Sequence, residues 1–340
     1  MLKAVDFFCG GGGMSLGLSN SGINILAGID NNQKVEKTYK ANHPESEFIL
    51  EDISKLSAKF LEKAINIKKN DDNLIFIGCS PCQYWSIVNT NKSSSIKTAF
   101  LLEYFQNFVE YFRPGYIVIE NVPGLSNKTE SPINNFKKSI SELGYFIDDA
   151  VIDCSDFGVP QKRRRYLLLA SRIRKVLLPT PTHTKKITVR DAIQKYPKIS
   201  SGEKSYNDYF HSTSSLSDTN LQRIQSTPHN GGDRLSWKNN KHLQLKAYQN
   251  KDNCFKDVYG RLFWDKPSPT VTTKFISYSN GRFGHPEQNR ALSVREGAAL
   301  QSFPDDYKII SSTIGDAAKI IGNAVPPKLA EAIGNTIKNG

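Results

Sequence analysis

A doubly wound α/β domain with a mostly parallel sheet, joined to a smaller irregular domain, is the fold class that the sequence predicts. From Met1 to about Ala170, short β-branched apolar runs alternate with amphipathic stretches. Five of these runs end in chemically distinctive polar signals, and ligands of such sheets sit at those strand ends. From Thr180 to Asp257 the texture changes to Pro, Ser, Asn, His and Lys, with no persisting period.

The apolar runs at Lys3–Phe8, Ile23–Ile29, Phe48–Leu50, Leu74–Gly78, Tyr116–Glu120 and Tyr166–Leu169 are the length of buried strands. Phe100–Phe112 and Ile133–Leu143 carry helical spacing between them. Periodicity returns at Ser293–Leu300 and Asp316–Ile321, and Lys328–Ile337 follows a Pro326-Pro327 helix start. These late helices are expected to pack back on the first sheet. The expected organisation is a catalytic domain over residues 1–187, a recognition domain over 188–258 with an edge reaching towards 280, and a return to the catalytic domain over 259–340.

The chain has 340 residues, 38% hydrophobic and 23% charged, which excludes disorder and collagen-like repeats. No run approaches the roughly 18 to 20 apolar residues of a membrane span. The opening Met1-Leu2-Lys3-Ala4-Val5-Asp6 shows no charged-then-apolar leader, so a cytoplasmic protein is expected. Five cysteines, an odd number thinly spread, do not suggest a disulfide framework. Lys and Arg number 45 against 33 Asp and Glu, a net charge of +12 that points to a polyanionic partner. Between Gln161 and Lys198 Asp191 is the only acid, and this basic run, with Lys185 and Lys186, reads as a phosphate-tracking surface or as a solvated basic face.

After the first strand, the glycine run Gly10 to Gly13 leads into Met14-Ser15-Leu16 and suits close approach of backbone to a ligand. Alone it is only a turn. Asp30, after the second strand, can accept the hydroxyls of a ribose about 20 positions past such a loop. After the third, Asp52-Ile53 sets an acceptor beside an apolar residue, as an adenine requires. Each aspartate alone is more often a helix cap; together with the glycine loop they favour an adenosine moiety. The fourth strand delivers Cys79-Ser80-Pro81-Cys82-Gln83 and the fifth Glu120-Asn121. A thiol and a carboxylate thus stand at adjacent strand ends. The Cys-x-x-Cys pair has no second pair or nearby His to complete a zinc shell. Cys79 reads as inert, and Cys82, near a glutamate and basic residues, as a candidate nucleophile.

These residues resemble the DNA (cytosine-5) methyltransferase family of bacterial restriction–modification type, over nearly the full length. Phe8-x-Gly10-x-Gly12-Gly13, Pro81-Cys82-Gln83, Glu120-Asn121-Val122 and Gln161-Lys162-Arg163-Arg164-Arg165 are similar to its motifs. So are Arg261 to Thr273, Leu300-Gln301-Ser302-Phe303-Pro304 and Gly322-Asn323-Ala324-Val325-Pro326-Pro327, in the family's order. Asp30 stands where many members have Glu, and Trp85 where Phe is commoner; the first shortens the reach to the ribose.

The resemblance implies the sheet of S-adenosylmethionine-dependent methyltransferases and transfer of a methyl group from that cofactor, without a metal, to carbon 5 of a flipped cytosine in a specific duplex DNA sequence. It implies catalytic roles for Cys82, Glu120, Arg163 and Arg165, with Arg163 near the backbone phosphate and the thiolate. Phe8, Gly10, Gly12, Gly13, Asp30, Asn31, Asp52, Ile53, Pro81, Asn323 and Val325 would hold the cofactor. Gln83, Lys162, Arg164, Lys185, Lys186 and Arg234 would meet DNA, with Tyr206, Tyr209, Phe210, His229 and Trp237 as further recognition candidates or as core of the small domain. The stretch Tyr84 to Thr98 is a candidate closing loop. A monomer associated with the bacterial nucleoid is implied, with room for a cognate restriction endonuclease outside any stable complex. Two alternatives stay open: a transfer RNA methyltransferase of the same fold, against which the long middle segment argues, and a non-catalytic relative, against which Cys82, Glu120 and Arg165 argue together.

Overall fold

A computed structural model describes residues 1–81, 100–126, 131–249 and 251–340. Its central feature is a seven-stranded sheet of order β3-β2-β1-β4-β5-β7-β6. The strands are β1 (Lys3–Phe7), β2 (Asn24–Asp30), β3 (Glu47–Leu50), β4 (Leu74–Gly78), β5 (Tyr116–Asn121), β6 (Phe146–Asp153) and β7 (Arg164–Ser171). The pairs from β3 to β5 are parallel, whereas β7 runs antiparallel to both β5 and β6. All six expected strands are present. The edge strand β6 escaped the sequence reading because its Asp148, Asp149 and Asp153 interrupt the apolar pattern, and no residue along it is buried.

Alternation along the strands gives each face its own partners. Val5, Phe7, Ala27, Ile29, Phe76, Ile117, Ile119 and Leu168 join one core with residues of α4 (Leu101–Phe112) and α5 (Pro132–Glu142). Phe7 meets Phe105 and Phe108 there at ring separations of 5.3 and 5.2 Å. Elsewhere in the same unit, α1 (Gly13–Asn20) packs along the last helix, α10 (Pro327–Asn339). Gly17 permits this: a Cβ there would lie 2.2 Å from the Pro327 carbonyl oxygen and 2.4 Å from Ala330 Cβ. Two helices complete this part, α2 (Gln33–Asn42), capped by Asn32, and α3 (Ala58–Ala64), capped by Ser57.

The chain divides into two units. Unit 1 comprises Met1–Phe157, Arg164–His183 and Ala324–Gly340; unit 2 comprises Gly158–Arg163 and Thr184–Asn323. This differs from the boundaries expected at 187, 258 and 259. Of the late helices only α10 joins the sheet's unit. The helices α8 (Val294–Leu300) and α9 (Ile314–Asn323) pack on each other, and α6 (Val189–Ile193) packs on α8. Their apolar faces are therefore satisfied inside unit 2, and periodicity alone could not say which core they serve.

Among the described residues unit 2 has no strand, and its further helix is α7 (Asp218–Gln225). Its core gathers Ile224, Trp237, Leu243, Tyr259, Tyr278 and Ala291. Buried arginines take the place of ladder hydrogen bonds for its backbone. Arg261 donates to the carbonyls of Thr227 at 3.0 Å, Ile224 at 2.8 Å, His285 at 2.9 Å and Gln288 at 2.7 Å. Arg290 pairs with Glu296 at 2.7 Å, both side chains wholly buried.

Candidate active site

The residues singled out at the strand ends lie on one side of the sheet, because parallel strands share a direction. The loop after β1 is built from left-handed conformations: Phe8 has φ 63°, Gly10 52° and Gly12 83°. A phenylalanine there costs of order 1 kcal/mol or more and is held by its surroundings. Asp30 supplies much of that hold. Its Oδ2 accepts from Gly10 N at 2.9 Å and its Oδ1 from Asn32 N at 2.8 Å, so one carboxylate bridges the glycine loop and the start of α2. Each oxygen keeps lone-pair capacity for a ligand hydroxyl. At the end of β3, Asp52 accepts from Ser54 N and Oγ at 2.9 and 2.8 Å, and these bonds, with a lesser contribution from Asn31, hold its carboxyl below the usual range. Ile53 is buried and joins the apolar cluster on one face of the sheet.

Behind the loop lie supports that the sequence reading missed. Asp6, on β1 between Gly28 of β2 and Ile77 of β4, is fully buried. Its Oδ2 accepts from Ser15 Oγ at 2.6 Å, and that hydroxyl is 3.1 Å from Tyr39 Oη. Its Oδ1 has no hydrogen-bond partner among the described residues. Burial, with the negative charge of Asp30 adding to it, pushes the Asp6 carboxyl up to about 7. His43 Nε2 lies 3.2 Å from the Gly12 carbonyl oxygen, and burial pushes this imidazole down to about 4. Asp6 read as strand interior, and neither its missing partner nor the reach of His43 back to residue 12 has a local sequence signal.

The second half of the site lies at β4 and β5. Glu120, buried at the end of β5, meets Arg165 Nε of β7 at 2.9 Å. The antiparallel register that places Glu120 opposite Leu167 brings the two together. Next to Glu120, Asn121 donates through Nδ2 to the Ser80 carbonyl at 3.1 Å, tying the tip of β5 to the chain after β4. Burial, followed by the charges of Glu120 and Asp6, pushes the Cys79 thiol well up, as suits the inert role expected of it. Pro81 is exposed at the end of this segment. Cys82, Gln83, Trp85 and the candidate closing loop Tyr84 to Thr98 lie outside the described residues.

One assignment changes, and another gains partners. The thiol near which Arg163 was expected to stand lies outside the described residues, while the buried guanidinium of Arg163 donates to the Val271 carbonyl at 3.1 Å and the Gly322 carbonyl at 3.3 Å, inside unit 2. Its neighbour Gln161 does similar work, donating to Leu300 O at 3.1 Å and accepting from Val271 N at 2.8 Å. Arg234 is also buried, donating to the carbonyls of Lys251, Cys254 and Phe255 with its guanidinium 5.0 Å from the Tyr248 ring centroid. A DNA-reading role for Arg234 does not survive this. Trp237 belongs to the unit 2 core, while Tyr206, Tyr209 and His229 are exposed.

The basic run is partly spent within the protein. Arg172 pairs with Asp72, Arg190 with Asp265 and Lys195 with Asp305. Lys162, Arg164 and Lys185 are exposed and Lys186 is half-buried. Asn323 ends α9 exposed in unit 2, whereas Val325 is buried in unit 1. Among the described residues no group of three His, Cys, Asp or Glu side chains is placed to hold a metal, and no helix is long and apolar enough to cross a membrane.

The sheet and its order are those of a methyltransferase fold: the solved structure of the Entamoeba histolytica methyltransferase EhMeth superposes with a TM-score of 0.69 at 16% identity, covering 100% of this chain and 98% of that one. The particular family follows from sequence, because the C-5 cytosine-specific DNA methylase model matches residues 2–339, and the chain belongs to that family. Among its relatives are the type II methylase M.HgiDII of Herpetosiphon aurantiacus, 37% identical over 98% of this chain and 94% of the relative, and the type II methyltransferase M1.HphI of Haemophilus parahaemolyticus, 34% identical over 99% and 86%. The protein is an enzyme, a DNA (cytosine-5) methyltransferase.

Proposed function

We propose that the protein methylates carbon 5 of one cytosine in a specific duplex DNA sequence, through a covalent bond from Cys82, as the modification enzyme of a type II restriction–modification system. The observation that carries the reading is the buried Glu120–Arg165 pair, on a strand tied through Asn121 to the segment that runs into Pro81 and Cys82. The names of the relatives support the type II assignment.

S-adenosylmethionine fits the strand-end site: the left-handed loop at Phe8, Gly10 and Gly12 leaves backbone open to it, Asp30 and Asp52 offer acceptors, and Asn31 follows Asp30 and bonds to Asp52, with Val325 a further candidate. When bound it supplies an electrophilic methyl group. The chain's own task is to make carbon 5 nucleophilic. Cys82, as thiolate, adds its electron pair to carbon 6, and the ring electrons move towards carbon 5. Glu120 supplies a proton or hydrogen bond at ring nitrogen 3, where the developing charge gathers. Arg165 holds the Glu120 carboxyl in place and donates towards the ring carbonyl. Once carbon 5 carries the methyl group, a base removes its proton and the returning electrons expel Cys82. A base within the duplex is out of reach, so the cytosine is flipped at a cost of a few kcal/mol. Gln83, the exposed Lys162, Arg164 and Lys185, and the half-buried Lys186 contact the DNA.

A duplex carrying 5-fluorocytosine at the target tests this reading. Fluorine cannot leave as a cation, so the enzyme with S-adenosylmethionine is expected to stall as a denaturation-resistant adduct containing one transferred methyl group. Mass spectrometry is expected to place the adduct on Cys82, and Cys82→Ser is expected to lose it. An adduct on another residue overturns the mechanism. Wild-type protein that methylates transfer RNA and not duplex DNA overturns the substrate.

A further inference from the structure

The hairpin over residues 203–213 of unit 2 is built in a way that packing alone does not explain. Its arms meet at a bridge between Lys204 and Ser212, with Ser205 N donating to His211 O at 2.9 Å and Thr213 N to Glu203 O at 3.1 Å. Its base is clamped. The fully buried His211 ring sits 2.9 Å from Ser293 Oγ and 2.8 Å from the Pro197 carbonyl oxygen. Asp208 pairs with Arg295 of α8 at 2.6 Å, and Arg295 N donates to Phe210 O at 2.9 Å. On this fixed support the tip holds Tyr206 entirely in solvent, at 102% relative exposure, and Tyr209 at 55%. A ring carried on a clamped backbone and left in water gives up burial in the free protein, and a partner that covers it has only the side chain left to order.

The hairpin's charge is one-sided. The Glu203 carboxylate accepts from Ser200 N at 2.6 Å, and that of Asp208 is taken by Arg295. Lys204 has no carboxylate partner among the described residues; its Nζ lies 4.9 Å from the Tyr209 ring centroid. The tip therefore presents a cation, two aromatic rings and the Asn207 amide, with both of its acids already engaged. A tyrosine ring and hydroxyl can meet base edges in a groove, and an unmatched lysine seeks a phosphate, which is the chemistry of a duplex contact.

We propose that this hairpin is a DNA-contacting element of unit 2, with Tyr206 packed against a base of the recognition sequence and Lys204 on a backbone phosphate. This rests on the duplex DNA reading above and adds which segment meets the duplex and through which side chains. An acidic protein surface is the competing occupant, and it would leave DNA selectivity independent of Tyr206.

The test first maps the methylated sequence by bisulfite sequencing of plasmid treated with wild-type protein, then measures affinity for duplexes with and without that sequence. Tyr206→Ala is expected to lower the ratio of specific to nonspecific affinity roughly 5- to 100-fold, the worth of one lost base contact. Tyr206→Phe is expected to retain most of the ratio. Because Tyr206 touches nothing in the folded chain, both variants are expected to keep the wild-type melting temperature. Lys204→Ala is expected to weaken both duplexes alike and to reduce the log–log salt slope by about 0.9. An unchanged specificity ratio in Tyr206→Ala overturns the proposal. The two readings fail differently: if wild-type protein methylates no duplex the function itself falls, whereas equally selective methylation by wild type and Tyr206→Ala removes the hairpin alone.

Discussion

Asp6 carries an electrostatic cost that its place in β1 does not advertise. Its carboxyl ionises near 7 in the folded chain against about 4 when unfolded. Folding is therefore favoured below the unfolded value, and stability is lost as pH rises from about 4 to 7, by on the order of 4 kcal/mol in all. Asp6→Asn keeps an oxygen for Ser15 and removes the titration. Without cofactor, this variant is expected to be the more stable protein at pH 8 and to lose its advantage by pH 4, as urea melts across that range would register. Parallel curves for the two proteins would assign the titration elsewhere. Arg165 presents the opposite case, since removing it leaves the buried Glu120 without its ion-pair partner. Arg165→Ala is expected to lower kcat at least 100-fold with a smaller change in KM for DNA, and Arg165→Lys to recover only part, because a single ammonium cannot reproduce the planar fork. Steady-state methyl transfer at saturating cofactor measures both. At this scale the legible residues were those, like Asp30 and Glu120, whose position after a strand already implies exposure to a ligand. Arg234 was misjudged because a guanidinium satisfied by carbonyls and one reserved for phosphate are the same letter in the sequence.

Among the elements, α1 and α10 are separated in the chain by the whole of unit 2, yet they pack so closely that position 17 has no room for a side chain. Gly17→Ala gains about 1 kcal/mol in helix propensity but places a methyl group against the Pro327 carbonyl and Ala330. A net loss of roughly 1 to 3 kcal/mol is expected from the urea midpoint, and a variant as stable as wild type would mean that the two helices part freely. Strand existence was readable wherever both faces are covered, as in β1, β4 and β5, because a buried strand must be apolar throughout. It failed at β6, whose position at the sheet edge relaxes that demand. Helix periodicity was sound for α8 and α9 but silent on which core they enter, since an apolar stripe names a need without naming the partner.

For the molecule as a whole, the arginine braces decide where unit 2 can be cut and exchanged, which is how the proposal that it chooses the target is tested. Arg261 reaches back to Ile224 and Thr227, Arg282 to Gly231 and Asp257, and Arg290 to Ile199. An exchange limited to residues 188–258 cuts all of these at the 258/259 join. Such a chimera is expected to be poorly soluble, whereas one exchanging 184–323 entire is expected to fold and to carry the donor's methylation sequence with it. Expression yield and bisulfite sequencing distinguish the two designs. If the shorter chimera folds and switches target, the braces are dispensable. Composition revealed that a second body was present, but its true extent depends on contacts over tens of residues that no window of sequence contains.

The six residues Gly158–Arg163 enter unit 2 and leave it at once, so that β7 begins at the next residue. In terms of inheritance, a gene that acquires a new segment over 184–323 keeps this hexapeptide from its former owner. The resident Gln161 and Arg163 must then find carbonyls and an amide at the newcomer's positions 271, 300 and 322. A donor segment lacking that backbone geometry would leave a buried guanidinium and a buried amide with nothing to bond. The hexapeptide thus acts as a compatibility check on recombination: it admits any surface chemistry that a new target demands, while rejecting every graft whose seam is out of shape.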